Sequence, residues 1–228
     1  MIPFELIEWP CPTPEGERRD ELALVFDRGR ERRLLVLPAW FDEANKLRRQ
    51  TVEVMRRLDL AGIDSVLPDL SGCNESETPL AVQTLETWRG EARAAARHFR
   101  ASHVLTIRAG ALVAPRGLPG WAYAPVEGKR ILRSMLRARA VAAREAGRTE
   151  RSEDLQAHAR QHGIELGGWQ LGAAMFRDLE AAAPDHELTE IDQAVVGGAG
   201  LWLRAEPAED PEQADALAAL VTMGLTSP

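Results

Sequence analysis

His103-Val104-Leu105-Thr106-Ile107-Arg108-Ala109-Gly110-Ala111-Leu112 joins a short apolar run to a tight turn and then to small apolar residues. The run has the length and β-branched content of a buried strand, and Gly110 permits close approach of the chain that follows. A guanidinium, Arg108, stands at the tip of the turn. Upstream, the stretch at 63–67 and Arg33-Leu34-Leu35-Val36-Leu37 are two more apolar runs of the kind buried on both faces of a sheet. Between the runs lie two segments with helical spacing, 45–60 and 79–100. The second places Leu80, Leu85, Trp88, Ala92, Ala95, Ala96 and Phe99 near one face. Gly62 closes the first helix, as a left-handed C-terminal position prefers. Strand, helix, strand, helix, strand implies a parallel sheet with right-handed crossovers.

Outward from that core, Leu22-Ala23-Leu24-Val25-Phe26 reads as a strand, and Asp27-Arg28-Gly29-Arg30 as a hairpin turn leading to 33–37. After the turn at Arg108, Pro115, Gly117, Pro119 and Gly120 leave little room for a full-length helix before a strand at 121–124. Helical segments follow at 129–147, 154–162 and 173–183, and together they suggest a helical cap inserted between sheet strands. Residues 188–196 and 201–204 supply the last strand candidates. The stretch 211–223, with Glu209, Asp210 and Glu212 at its start, reads as a closing helix. The expected architecture is one α/β domain over 1–228, a mostly parallel sheet with flanking helices and a small helical cap at 129–183.

Composition sets outer bounds. The chain has 228 residues, 45% hydrophobic and 28% charged, which suits a globular core of substantial size. A formal charge of −7 argues against general nucleic-acid binding. No stretch approaches the ~20 apolar residues of a membrane span, and the first residues lack a basic segment followed by an apolar run, so a cytoplasmic location is expected. Cys11 and Cys73 are expected to be reduced thiols. No Cys or His spacing suggests a metal site, and no cofactor is implied.

The pattern Thr106-Ile107-Arg108-Ala109-Gly110 falls on the G-x-S-x-G nucleophile elbow of α/β-hydrolases, with arginine in place of the attacking serine. Guanidinium offers no attacking atom and stays protonated at physiological pH. Three further strings join this one. Phe41-Asp42-Glu43-Ala44-Asn45-Lys46-Leu47-Arg48-Arg49 is similar to an F-A-E-E-M-N-K-S-R-R string. Asp69-Leu70-Ser71-Gly72-Cys73-Asn74-Glu75-Ser76 resembles a D-L-x-G-C-G-D-S loop, and Ala124-Pro125-Val126-Glu127-Gly128-Lys129 a Q-P-V-x-G-K segment. Together with the L-R-x-G-A-L elbow they resemble, over roughly 20–183, a bacterial hydrolase-like family. This is the second type associated with exosortase A systems, found in loci for exopolysaccharide export and PEP-CTERM protein sorting. The resemblance implies the α/β-hydrolase fold and that genomic setting, and arginine at the elbow looks usual for the branch. Thr106 and Asn74 depart from it, each standing where the family has glycine.

A serine-hydrolase mechanism needs a nucleophile, a histidine base and an orienting acid. The loop at 205–210, where the histidine normally lies, contains none. His186 precedes a late strand candidate, and His158 and His162 lie in the cap segment. The leading reading is therefore a catalytically degenerate accessory or binding protein. The alternative is an esterase-like hydrolase acting on an ester of a polysaccharide or lipid precursor. With no reacting atom to present, and with β-branched Thr106 beside it, the elbow is expected to be relaxed. Arg108 has two readings: an ion pair with Asp69, Glu43 or Glu127, of which Asp69 and Glu127 are the better candidates, or an anchor for a small anionic ligand. Thr106, Arg108 and Gly110 form the degenerate elbow. Trp40, Phe41, Glu43, Asn45, Asp69, Cys73 and Glu127 are the candidate pocket lining. Cys73 is the one substitute nucleophile, against the plainer reading of a packed or exposed thiol, while Ser71 and Ser76 read as turn residues. The arginine-rich helix at 129–148 is either a solvated cap helix docked on the sheet or the contact surface for a protein partner or an anionic surface.

Overall fold

The computed structural model describes residues 4–13, 16–185 and 187–226. Its centre is a seven-stranded sheet built from β1 (Glu5–Pro12), β2 (Arg18–Phe26), β3 (Arg33–Leu37), β4 (Asp64–Pro68), β5 (His103–Ile107), β6 (Gly120–Tyr123) and, later in the chain, β9 (Thr189–Ile191). The spatial order is β1-β2-β4-β3-β5-β6-β9. The pairs β1–β2 and β2–β4 are antiparallel, and every pair from β4 to β9 is parallel. The expected α/β architecture is the one observed.

The strand sequences explain the two layers of helices. Alternate residues of β3 face opposite sides, so Leu35 and Leu37 enter one core while Leu34 and Val36 enter the other. A strand apolar on both faces has to be covered on both. Helices α1 (Asp42–Leu60) and α7 (Pro211–Thr226) cover one face. In α1, Leu47, Thr51, Val54, Met55 and Leu58 recur at three- and four-residue steps and are buried. The opposite face is covered by α2 (Leu85–His98), α3 (Gly128–Glu145) and α5 (Ala173–Ala181), through Trp88, Ala92 and Ala95, Leu132 and Leu136, and Phe176 and Leu179. Helix α4 (Ser152–His162) packs on α5, and a hairpin of β7 (Ile164–Leu166) and β8 (Trp169–Leu171) follows it. Its turn, Gly167-Gly168, has φ of 59° and 86°, the two-residue geometry with both φ values positive that glycine makes accessible. The α3–α5 segment lies in sequence between β6 and β9, and Trp169 carries it to the edge where the parallel strands end.

Four expectations fail, each for an identifiable reason. The turn at 27–30 does not close a hairpin: β2 pairs with β4, and β3 lies beyond β4. Asp27 accepts from Gly29 N at 2.8 Å and pairs with Arg33, so the turn carries the chain across the sheet instead of back along it. The hairpin partner of β2 is β1, whose Pro10 and Pro12 disguise a strand that sits at the sheet edge, where proline is tolerated. The 79–100 segment divides into a 3-10 turn, Leu80–Val82, and α2, which starts where Thr84 Oγ1 accepts from Thr87 N at 3.0 Å. At the chain's end, only Thr189–Ile191 is a strand. Gln193–Val196 forms a short helix, α6, and Leu201–Leu203 a 3-10 turn, because Gly197 (φ 91°) and Gly198 (φ 67°) break the extended path. His186 lies outside the described residues.

Candidate active site

Chain geometry at the end of β5 puts Arg108 where it must be read first. Its φ is +55°, a left-handed conformation that costs a non-glycine residue about 1–3 kcal/mol. A Cβ on Gly110 would lie 2.4 Å from the carbonyl oxygen of Leu37, so the 3-10 turn Arg108–Val113 presses against the end of β3 as only glycine allows. The elbow is therefore not relaxed. Thr106 does not obstruct it, because its side chain points into the sheet, fully buried, with Oγ1 3.4 Å from the carbonyl oxygen of Trp121.

The guanidinium is engaged on every side. Nε donates to Glu43 Oε2 at 2.9 Å and Nη2 to Glu43 Oε1 at 3.0 Å, a two-point fork on one carboxylate. Nη1 donates to the carbonyl oxygen of Ala124 at 2.7 Å, and the Trp202 ring lies 4.1 Å from the guanidinium carbon. Ala124 itself has φ of +44°, so a second strained residue, just past β6, presents its carbonyl to the first. The Arg108 side chain is 13% exposed and that of Glu43 27%.

Glu43 is thus the partner, and the preference for Asp69 or Glu127 is wrong. Sheet order explains it. Strand β3 separates β4 from β5, so the loop bearing Asp69 opens about 10 Å from the elbow, two strand spacings away. Glu43, in the first turn of α1 after β3, lies beside β5. Asp69 instead accepts from the Asn74 side chain and sits 3.7 Å from Arg48 Nη1; burial raises its pKa, and those two contacts oppose the rise. Glu127 pairs with Lys129 at 3.1 Å and Arg130 at 3.7 Å at the start of α3.

A pocket lies over the ends of β3 and β4, beside the elbow. Trp40, Phe41, Asp69 and Cys73 line it, with Arg48 and Trp169. Glu43 and Glu127 are held in the pairs just described, and Asn45 is exposed on α1. The interior, about 30 Å³, has room for one or two waters. The buried Trp40 Nε1 has no hydrogen-bond partner among the described residues.

No activated nucleophile lines this edge among the described residues. Burial pushes the Cys73 thiol up to about 12, and the charges of Asp69, Glu91 and Glu21 push the same way. Ser71 Oγ donates to Glu21 Oε1 at 3.3 Å, Ser76 Oγ donates to the same oxygen at 2.9 Å, and Glu91 Oε2 accepts from Ser71 N at 3.0 Å. These two serines hold the 69–76 loop onto two buried carboxylates. The four described histidines sit elsewhere: His103 stacks on Trp121 at the start of β5, His98 packs on Trp9 and Phe99, and His158 and His162 neighbour each other on α4. The roles of Glu21, Glu91, Trp169 and Trp202 escaped the sequence reading. Glu91 did carry a signal, since it falls within the apolar stripe of Trp88, Ala92 and Ala95.

No family model and no curated protein matches the chain. Among solved structures, a candidate hydrolase from Agrobacterium vitis S4 superposes with a TM-score of 0.61 at 12% identity, covering 97% of this chain and 99% of the other. The fold is that of the α/β-hydrolases. The esterase domain of a Rhodothermus marinus protein gives 0.54 at 10% identity, with 98% of each chain covered. The α/β-hydrolase GrgF from Penicillium sp. sh18 gives 0.50 at 14% identity over 79% of this chain and 73% of its own. At such identities the likeness is one of architecture. Arg108 opens the 3-10 turn that follows β5, in the parallel part of that sheet. Among the described residues no helix is long and apolar enough to cross a membrane, and no cluster of three or more His, Cys, Asp or Glu could hold a metal.

Proposed function

We propose that this chain is a catalytically degenerate α/β-hydrolase-fold protein that acts as an accessory or binding protein. The observation that carries the reading is the Arg108–Glu43 fork, roofed by Trp202 and tied to Ala124, in the space where a hydrolase presents its nucleophile. An anionic ligand at Arg108 would have to displace Glu43, so the pair is structural and the anchor reading yields to it. Binding then falls to the neighbouring pocket, which admits more than a water or two only when Trp169, from the segment 129–183, moves aside as a cap, and where Trp40 Nε1 is a donor without a partner among the described residues. The proposal sets this role in a cytoplasmic step of an exosortase and exopolysaccharide system, supported by the motif resemblance alone.

The second reading, an esterase-like hydrolase acting on a polysaccharide or lipid-precursor ester, draws on the retained left-handed elbow. Hydrolysis of p-nitrophenyl acetate and butyrate separates the two. The binding reading expects no turnover above buffer from the purified chain. Turnover that disappears in Cys73→Ala or Ser71→Ala protein would overturn it.

A further inference from the structure

We infer that the outer face of α3 is a docking surface for an acidic helical segment of a partner protein. This stands apart from the elbow and its pocket and does not depend on how either works. The helix turns Leu132, Leu136 and Ala143 into the core. At steps of three and four residues along another face it presents Arg130, Arg133, Arg137, Val141, Arg144 and, just past the helix end, Arg148, all exposed. Residues at that spacing stack on one side of a helix, so the helical part of the stripe, from Arg130 to Arg144, is about 21 Å long. Arg130 and Arg148 approach Glu127 and Glu150 at 3.7 and 4.0 Å, while the guanidinium groups of Arg133, Arg137 and Arg144 have no ion pair or hydrogen bond among the described residues.

The form of the stripe selects the occupant. Val141 is 51% exposed between Arg137 and Arg144, an apolar point with a cation on either side along the stripe, as an interface centre is flanked by its polar rim. A second helix laid along α3 would meet Arg133 and Arg137 with carboxylates one turn apart. It would then face Val141 with an apolar residue and Arg144 with a further acid. An anionic bilayer fits less well. The stripe is about one residue wide, and the rest of a chain whose net charge is −7 is more acidic still, which weakens attraction to such a bilayer. The apolar face that would insert is already packed against the sheet. A second copy offering its α7 end fits less well too: Glu209, just before that helix, and Asp215, in its first turns, are already paired with Arg49 and Arg57.

The test uses the full chain and an 18-residue alanine-based helical peptide whose glutamates follow the arginine spacing around one central leucine. A control isomer of equal composition spreads its glutamates around the helix. The inference expects the patterned peptide to bind, weaken with salt, and outbind the isomer. It expects Arg133→Glu/Arg137→Glu to lower affinity at least tenfold while the melting temperature moves by no more than about 2 °C. Equal binding of both peptides, or affinity unchanged by the double reversal, overturns it. So does binding to phosphatidylglycerol vesicles without binding to the peptide, or dimerisation that the double reversal abolishes. If the reversal unfolds the chain, Arg133→Gln/Arg137→Gln is read in its place, with a loss of severalfold expected.

Discussion

Replacing Arg108 with methionine removes the fork to Glu43, the bond to Ala124 and the stack on Trp202 while keeping the length of the side chain. Removing one partner of a fully buried pair costs about 3–5 kcal/mol because the other charge is stranded. Here Glu43 is 27% exposed and regains some water, so the expected loss is about 2–4 kcal/mol. In a chain of this length that lowers the melting temperature by roughly 5–12 °C. The carboxylate is the reason for the cost, so Arg108→Met/Glu43→Leu should recover part of it, with a coupling energy of about 1–3 kcal/mol. Arg108→Gly supplies an internal control. Arg108→Ala loses nearly the same contacts, but glycine accepts φ of +55°, so Arg108→Gly should be more stable than Arg108→Ala by a few tenths to about 1 kcal/mol. Denaturant unfolding of the parent, Arg108→Met, Arg108→Gly, Arg108→Ala, Glu43→Leu and Arg108→Met/Glu43→Leu proteins measures all of this. A methionine variant within 0.5 kcal/mol of the parent, or single losses that simply add in the double variant, would refute the assignment of Arg108 as a structural pair (about 0.5 kcal/mol is the spread of neutral surface changes).

Two further outcomes test the buried acids and the thiol. Burial, with Glu21 adding to it and Ser71 opposing, raises the Glu91 carboxyl to about 7, so the folded chain keeps a proton that the unfolded chain releases. Its contribution to stability is complete below the ordinary glutamate range and is lost as pH rises from about 4.5 to 7, by up to ~3 kcal/mol. Glu91→Gln, which mimics the protonated acid, should therefore gain stability relative to the parent between pH 5 and pH 8; parallel curves for the two proteins would contradict this. Cys73, with its thiol near 12, should react with a disulfide reagent at a rate that climbs tenfold per pH unit from 7 to 9, and faster in Trp169→Ala, which opens the pocket. A plateau near pH 8 would mean an activated thiol.

Strands β3, β4 and β5 were readable because each is apolar on both faces, and α1 and α2 because their buried residues recur at helical steps. What sequence order does not carry is sheet order. The chain runs β3, β4, β5, but in space β3 lies between the other two, and that permutation moves Asp69 away from Arg108 and puts Glu43 beside it. Local chemistry misled in other places. Prolines hid β1, the Asp27 turn imitated a hairpin, and Gly167-Gly168 closed a real hairpin whose three-residue strands were too short to show periodicity. The arginine at the elbow was visible from the start, and so was the absence of a histidine at 205–210. The strain at Arg108 was not, because φ there is imposed by the close approach of Gly110 to Leu37 and by the Ala124 carbonyl, contacts made between separate loops.

The central claim, that this hydrolase-fold edge has no activated nucleophile, is tested most directly by intact-mass measurement after incubation with a fluorophosphonate. The account predicts an unchanged mass for the parent and for Arg108→Ser, since no histidine was found among the described residues to activate a hydroxyl there. A stoichiometric adduct on the parent, mapped to Ser71 or Ser76, would contradict it.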